Sequence, residues 1–223
     1  AIITQHAVKG MLTDQKDEYY YLTVMNENYT HPEMPAGAEA NIIKGMYLLK
    51  EGGKDKKKGM RVQLTGSGTI LREVIAAADL LRDDWGVESD IWSAPSFNEL
   101  RRDGIDCERW NLLHPMDEPR VPHVAACVSS KPGPVIAATD YMRIYADSVR
   151  PYIKKTFKVL GTDGFGRSDS RDNLRRFFEV NRFYVTLAAL SALADDGVIE
   201  RKVLADAIKK YGIDPNKPNP TTV

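Results

Sequence analysis

The segment FKVLGTDGFGRSDSRDNLRRFFEV, residues 157–180, decides the fold, because it predicts a short strand, a glycine-rich loop and a helix in immediate succession. Its first four residues are mostly apolar and β-prone, and its three glycines free the backbone of the loop. Side-chain oxygens able to cap a helix then precede the run from Arg171 to Phe178, and they belong to Ser168, Asp169 and Ser170. This order is typical of a strand-to-helix corner in an α/β domain.

Such a corner is either a phosphate cradle or a structural turn. A phosphate would use free N–H groups at the helix start together with Arg167 and Arg171. Asp163, Asp169 and Asp172 crowd the same turn, where they suit the positive end of the helix dipole and would repel an incoming anion. The sequence therefore favours the structural interpretation, with the arginines paired to these carboxylates or to another subunit.

Composition excludes several classes of function. Of the 223 residues, 43% are hydrophobic and 28% charged, which is ordinary for a globular protein. Lys plus Arg and Asp plus Glu both number 31, so no net charge attracts nucleic acid or anionic lipid. Two cysteines, Cys107 and Cys127, are too few for a disulfide framework and fit a reducing compartment. No apolar run has the length of a membrane span, and no signal peptide is visible.

The first 37 residues predict the end of one domain and a linker. The chain begins at Ala1 without Met, inside a helix predicted for Ile2–Leu12 that has no capping residue, so we interpret it as a piece of a longer polypeptide. Tyr19–Met25 is a β-prone run, and Asn26–Gly37 is polar and interrupted by prolines. We therefore place a domain boundary near residue 36, separating residues 1–36 from residues 37–223.

Strands and helices alternate through the second region, which predicts an α/β fold with a mainly parallel sheet covered on both faces. The predicted strands are Gly45–Glu51, Met60–Thr65, Ser89–Ser93, Val135–Thr139 and Phe157–Leu160. The predicted helices are Thr69–Trp85, Phe97–Leu113 interrupted at Gly104, Tyr141–Tyr152, Arg171–Phe178, Tyr184–Ala194 and Arg201–Tyr211, with Gly212 ending the last.

Three local patterns give finer expectations. Lys54–Lys58 lies among glycines and predicts a hairpin loop rather than a polyanion site. In Met60–Thr65, apolar and polar residues alternate, which indicates one buried face. In the helix Thr69–Trp85 the apolar residues share one face, and Glu73 is expected on the opposite, solvent-exposed face.

Gly66-Ser67-Gly68 follows a strand and precedes a helix, as a dinucleotide-binding fingerprint does. Leu71 stands where that fingerprint has its third glycine, and no acidic residue follows a second strand at the expected spacing. The sequence therefore favours a tight strand-to-helix turn over a nucleotide site.

Two further groups of residues suggest chemistry only weakly. Cys107, His114, His123 and Cys127 have the spacing C-x6-H-x8-H-x3-C, which matches no usual zinc pattern, so packing roles are favoured. On the linker, an acid/base pair could be formed from His31 with Glu27 or Glu33. A loop holds catalytic geometry poorly unless another domain packs against it.

Three segments carry a resemblance to a known family. LGTDGFGRSDSRDNLRRFFEV at 160–180, SFNELRRDGIDCERWNLLHP at 96–115 and YYYLTVMNENY at 19–29 resemble the C-terminal part of the homodimeric bacterial pyruvate dehydrogenase E1 component, and transketolases carry a looser relative of the first. The resemblance implies that residues 1 to about 30 end a pyrimidine-binding middle domain. It also implies that the rest is a transketolase-type C-terminal domain, a three-layer sandwich with about five mostly parallel strands.

The same resemblance implies a function for the parent enzyme. That family decarboxylates pyruvate on thiamine diphosphate with Mg²⁺ and transfers the acetyl group to the lipoyl arm of the E2 acetyltransferase. The implied partners are the other E1 domains, a second E1 subunit and E2, with no nucleic acid and no membrane, in the cytoplasm.

This chain lacks the residues that the family uses for catalysis. The GDG…NN signature for Mg²⁺ and diphosphate is absent, since TDG at 162–164 stands in another context. No catalytic, cofactor-binding or metal residue is therefore assigned, and this includes Glu27, His31 and His114. We expect an inactive, dimer-supporting piece; the alternative is a docking or regulatory module that binds a partner subunit or a small anion.

Overall fold

A computed structural model describes residues 1–26, 28–54 and 59–223, and within these ranges five strands form one sheet. The strands are β1 (Tyr47–Lys50), β2 (Arg61–Gly66), β3 (Glu88–Ser93), β4 (Val135–Ala138) and β5 (Phe157–Leu160). The helices are α1 (Ile2–Val8), α2 (Glu39–Ile43), α3 (Leu71–Trp85), α4 (Phe97–Leu113), α5 (His123–Val128), α6 (Arg143–Asp147), α7 (Arg171–Phe177), α8 (Arg182–Asp195) and α9 (Lys202–Lys210). A π-helical turn at Lys9–Thr13 and 3₁₀ turns at Gly68–Ile70 and Arg150–Tyr152 complete the regular structure of these ranges.

The strand order is β1-β3-β2-β4-β5, and every neighbouring pair is parallel except β1 and β3. The expected mainly parallel sheet is therefore confirmed. The hairpin predicted at Lys54–Lys58 is wrong, because β3 lies between the two strands that this connection joins. Residues 55–58 themselves lie outside the described ranges.

Helices cover both faces of the sheet, which gives the three-layer sandwich. One core cluster joins one sheet face to α3, α8 and α9, and the other joins the opposite face to α4, α5 and α6. β4 contributes to both: Val135 and Ala137 lie in the second cluster, whereas Ile136 and Ala138 lie in the first. This alternation is what a strand buried on both faces requires.

The expectation that β2 has one buried face is wrong, since all six of its residues are buried. Both of its neighbours are parallel strands and both faces carry helices, so its polar side chains need partners inside the protein. Arg61 and Gln63 find such a partner in Asp90 of β3, and Gln63 also accepts a hydrogen bond from Nε1 of Trp92 at 2.9 Å.

Asp90 is the centre of this buried polar network and is only 1% exposed. Its Oδ1 accepts hydrogen bonds from Nη1 of Arg61 at 2.6 Å and from the Gly52 N–H at 2.9 Å. Its Oδ2 accepts from Nε2 of Gln63 at 2.9 Å. Arg61 also donates to the Gly53 carbonyl. The network fixes the 52–53 turn to the middle of the sheet.

The predicted helix at Phe97–Leu113 is uninterrupted, although Gly104 lies at its centre. A Cβ at this position would lie 2.2 Å from the ring of Tyr152, so the glycine serves close packing and does not break the helix. The helix predicted for Tyr141–Tyr152 is instead divided into α6 and a 3₁₀ turn. Pro151 is the second residue of that turn, and proline cannot donate the hydrogen bond that an α-helix needs there.

In the first 36 residues, the predicted helix is present as α1 with the π-helical turn that follows it. Tyr19–Met25 is not a strand: no neighbouring strand supplies the ladder of hydrogen bonds, and Tyr19, Tyr21 and Val24 are 86–89% exposed. Asn26–Gly37 has neither helix nor strand among its described residues, as predicted. A search of the described helices finds none that is long and apolar enough to span a bilayer.

We expect Asn181→Ala to lower the free energy of unfolding by about 1 kcal/mol. Oδ1 of Asn181 caps the core helix α8 by accepting from the Phe183 and Tyr184 N–H groups at 3.1 and 3.2 Å. Urea unfolding followed by circular dichroism measures the change. Asn98→Ala, on the exposed side of α4, is the matched control and should remain within about 0.5 kcal/mol of wild type. Equal stability of the two variants would contradict a capping role.

Candidate functional site

The strand order reverses between β2 and β4, because the chain continues from β2 to β3 on one side and returns to β4 on the other. In open α/β sheets, ligands bind in the crevice that such a reversal leaves at the carboxyl ends of the strands. A cavity of about 310 Å³ lies there, which we call the switch-point cavity. Its lining comprises Met25, Thr69, Ile70, Asp140, Thr162, Gly164, Gly166, Arg167, Arg171, Leu174, Arg175, Phe178 and Val180.

The turn after β2 forms one wall of this cavity, and its glycines have structural reasons. A Cβ on Gly66 would lie 2.6 Å from the Leu71 Cα, so glycine permits α3 to pack against the strand end. Gly68 has a φ of +57°, a conformation that favours glycine. Both glycines serve a tight strand-to-helix turn, which is the role that the sequence favours for Gly66-Ser67-Gly68.

Asp140 follows β4 and faces this turn. Its Oδ2 accepts a hydrogen bond from the Thr69 hydroxyl at 3.4 Å, and its backbone carbonyl accepts from the Thr162 hydroxyl. Its Oδ1 is fully buried without a hydrogen-bond partner in the described part of the chain. Asp140 thus connects the three loops that leave β2, β4 and β5.

The predicted capping of α7 is present, and it turns the aspartates of the loop away from the cavity. Ser170 Oγ accepts from the Asn173 N–H, and Asp169 accepts from the Asn173 side chain and the Ser170 N–H, which lower the pKa of Asp169. Asp163 accepts from the Arg143 N–H, and Asp172 is exposed. The three carboxylates remain beside the loop, but they are not part of the cavity lining.

The arginines of the loop and of α7 do line the cavity. The guanidinium of Arg167 lies 4.6 Å from the centroid of the Phe177 ring, and Nη2 of Arg171 donates to the Asn26 side chain at 2.8 Å. Cation–π stacking leaves the in-plane N–H donors of an arginine available for a second partner.

Glu73 lies behind this cavity and is buried, in contrast to the exposed position expected for it. Its Oε2 accepts from the Arg182 N–H at 2.9 Å and from Nε at 3.0 Å, and its Oε1 accepts from Nη2 at 3.1 Å. Nη1 of Arg175 lies 3.5 Å from Oε1. Burial alone would raise the pKa of Glu73, but the hydrogen bonds and charge of Arg182, with the charge of Arg175, outweigh burial and lower it.

A second cavity of about 510 Å³ adjoins the first and is lined by the linker and α3. His31 and Tyr29 contribute to its wall, and the guanidinium of Arg72 lies 4.1 Å from the centroid of the Tyr29 ring. Glu33 is exposed and does not line this cavity, and Glu27 lies outside the described ranges. Among the described residues, no ion pair joins His31 to a carboxylate, so the geometry gives no acid/base pair on the linker.

The four residues weighed as zinc ligands have separate packing roles. His114 stacks on Trp110 with ring centroids 3.6 Å apart, and Cys107 is buried on α4. Nε2 of His123 contacts the Met46 carbonyl at 2.9 Å and Sγ of Cys127 at 3.6 Å. Burial raises the pKa of the Cys127 thiol to about 11 and also raises that of Cys107, so neither thiolate forms readily. Across the described ranges, no cluster of three or more His, Cys, Asp or Glu residues could hold a metal ion.

The fold and this arrangement at the sheet edge define the class of protein. The chain belongs to the family of transketolase-like C-terminal domains: the family model described as "Transketolase-like TK C-terminal domain" matches residues 45–181. The expected fold class is thereby confirmed. A second model, described as "Pyruvate dehydrogenase E1 component middle domain", matches residues 1–32.

Curated relatives make the assignment more particular. A protein of Cupriavidus necator named "Pyruvate dehydrogenase E1 component" is 61% identical over all 223 residues, which correspond to 25% of that protein. Proteins of the same name from Pseudomonas aeruginosa and Escherichia coli are 60% and 52% identical over 99% of the chain, and 25% and 24% of their own lengths are covered. The predicted resemblance to the E1 component is confirmed, and the chain spans about a quarter of these relatives.

Solved transketolases are more distant. A structure of the Pichia stipitis enzyme is 17% identical, covers 74% of this chain and 20% of its own, and has a TM-score of 0.47.

Proposed function

We propose that this chain is part of a pyruvate dehydrogenase E1 component. The single observation that carries the proposal is the identity of 61% over the whole chain to a relative of that name. The proposed activity of the complete protein is decarboxylation of pyruvate on thiamine diphosphate with Mg²⁺, followed by transfer of the acetyl group to the lipoyl arm of E2. Its proposed partners are the other E1 domains, a second E1 subunit and E2, in the cytoplasm.

We assign a supporting role to this part of the protein. We place the domain boundary near residue 36, so that residues 37–223 form the transketolase-type domain; the two family models, which match residues 1–32 and 45–181, support this division. The domain stabilises the dimer in which the cofactor sites are built. We assign no catalytic role to His114, because its ring is stacked on Trp110 and its Nδ1 contacts the Trp110 carbonyl.

The residues at the switch-point cavity do not suit the diphosphate–Mg²⁺ group of the cofactor. Mg²⁺ prefers an octahedron of oxygen ligands, commonly with carboxylates among them. The described lining offers one carboxylate, that of Asp140, beside three guanidinium groups. We therefore place the cofactor on the other domains and assign no catalytic, cofactor-binding or metal residue to this chain.

A chimeric enzyme tests the proposed function. We expect that the Cupriavidus necator relative will retain its dimer and most of its activity when its matching quarter is replaced by this chain, because the two sequences are 61% identical there. Pyruvate-dependent acetylation of lipoyl-E2 is the readout. A folded dimeric chimera without activity would contradict the proposal.

The isolated chain supplies the second half of the test. With pyruvate, thiamine diphosphate, Mg²⁺ and lipoyl-E2 it should release no CO₂ above the level without protein. The intact Cupriavidus necator relative is the positive control. Robust turnover by the isolated chain would contradict the supporting role.

A further inference from the structure

The switch-point cavity carries an excess of positive charge. Three arginines line it, whereas Asp140 is the single acidic residue in its described lining. Asp163, Asp169 and Asp172 do not belong to that lining. A cleft lined by charges of one sign concentrates the field and attracts anions more strongly than an isolated surface arginine does.

Arg175 is only weakly compensated by its ionic partner. Its side chain is 12% exposed, and its ionic partner Glu73 already receives three hydrogen bonds from Arg182 at 2.9–3.1 Å. Arg175 reaches that carboxylate only at 3.5 Å and the neutral Tyr29 hydroxyl at 3.4 Å. One buried carboxylate thus serves two guanidinium groups, and Arg175 has hydrogen-bonding capacity for an anion in the cavity.

Part of the cavity lining is apolar. It comprises Ile70, Leu174, Phe178 and Val180, and the volume of about 310 Å³ lies in the usual range for small-molecule sites. Inorganic phosphate would leave these apolar side chains exposed to water. A ligand with a compact apolar body would cover them.

We propose that the switch-point cavity binds a small organic dianion with a compact apolar body, either a phosphate monoester or a dicarboxylate, through Arg167 and Arg175. The guanidinium fork matches phosphate and carboxylate equally well, so the two headgroups share one recognition chemistry. The proposal rests on the cavity and its arginines and does not depend on the function proposed for the complete protein.

Calorimetric titration of the 223-residue chain with four probes tests the site. Phenyl phosphate or succinate should bind and raise the melting temperature, and the stronger of the two identifies the headgroup. Inorganic phosphate should bind about tenfold more weakly because it lacks an apolar body, and phenol should not bind. Absence of binding by both dianions would overturn the proposal. Equal affinity for inorganic phosphate would overturn the requirement for an apolar body.

Variants locate the binding. Arg167→Gln and Arg175→Gln should each weaken the binding dianion about tenfold. Arg176→Gln is the matched control, since Arg176 is exposed on the same helix and does not line the cavity, and it should change the affinity less than twofold. If Arg175→Gln lowers the melting temperature, the conclusion is drawn from Arg167→Gln, because Arg167 is exposed and its substitution should not affect folding. Unchanged affinity in Arg167→Gln, or an equal loss in Arg176→Gln, would overturn the site.

Discussion

Asp90→Ala will lower the free energy of unfolding by about 3–5 kcal/mol, which is typical when one partner of a buried ion pair is removed. The substitution removes the carboxylate of Asp90 from the guanidinium of Arg61, whose side chain is 10% exposed. It also removes the acceptor of the Gln63 amide and of the Gly52 N–H. Urea unfolding followed by far-ultraviolet circular dichroism measures the change.

The control for this prediction is Asp79→Ala. Asp79 also pairs with an arginine, Arg82, but both side chains are about half exposed. A surface ion pair of this kind contributes about 0–1 kcal/mol, so the control variant should remain close to wild type. A loss below about 1 kcal/mol in Asp90→Ala would show that the network contributes no more than a surface pair.

Glu73→Ala has the second largest expected effect, a loss of about 3 kcal/mol at neutral pH. The buried Arg175 loses its ionic partner, and the Arg182 N–H at the start of α8 loses its acceptor. We expect the lower end of the range for buried pairs because the side chain of Arg182 is 45% exposed, so that water can solvate its charge when the carboxylate is removed. Glu118→Ala at an exposed position is the matched control and should change stability by less than about 0.5 kcal/mol.

The contribution of Glu73 should also depend on pH. Its pKa in the folded protein is lowered from its ordinary value of 4.5, so the ionised form is favoured by folding. The stabilisation is complete above that ordinary value and is lost as the pH falls through the lower pKa of the folded state. The stability difference between wild type and Glu73→Ala should thus be constant from pH 7 to 5 and should shrink below 4.5. A difference that grows on acidification would contradict this assignment.

Local patterns in the sequence were sufficient for most helices and strands. The caps of α7 and α9 are examples. The Ser170 side chain accepts a hydrogen bond from the Asn173 N–H, and Gly212, just beyond the end of α9, has a φ of +59°. These features depend on residues adjacent in sequence, so they are visible without the fold. The strand order was not visible, because it depends on contacts between distant segments.

The errors concern polar residues that acquire partners through tertiary packing. An amphipathic pattern assumes that one face of an element meets solvent, and this assumption fails for β2 and α3. Arg61 and Gln63 are buried because β2 is central in the sheet, and Glu73 is buried because the first residue of α8, Arg182, packs against it. Each of these residues is paired with a group at least 27 positions away.

The candidate site could be predicted only in part. The glycine-rich loop and its arginines were recognised, but the directions of Asp163 and Asp169 depend on local hydrogen bonds that composition does not specify. Asp140 was missed, because its approach to Thr69 depends on β2 and β4 being neighbours. Asp140 could have been suggested by its position shortly after a fully buried strand, because ligands bind at the carboxyl ends of the strands in such sheets.

The alternation of β4 has a consequence for cooperativity. Val135 and Ala137 belong to one core cluster and Ile136 and Ala138 to the other, and these four residues are hydrogen-bonded on both sides, to β2 and to β5. Opening of either helical layer therefore exposes side chains on a strand that the other layer still holds. We therefore expect the two hydrophobic layers to behave as a single folding unit, in which the β4 amides exchange with solvent only when the unit opens as a whole.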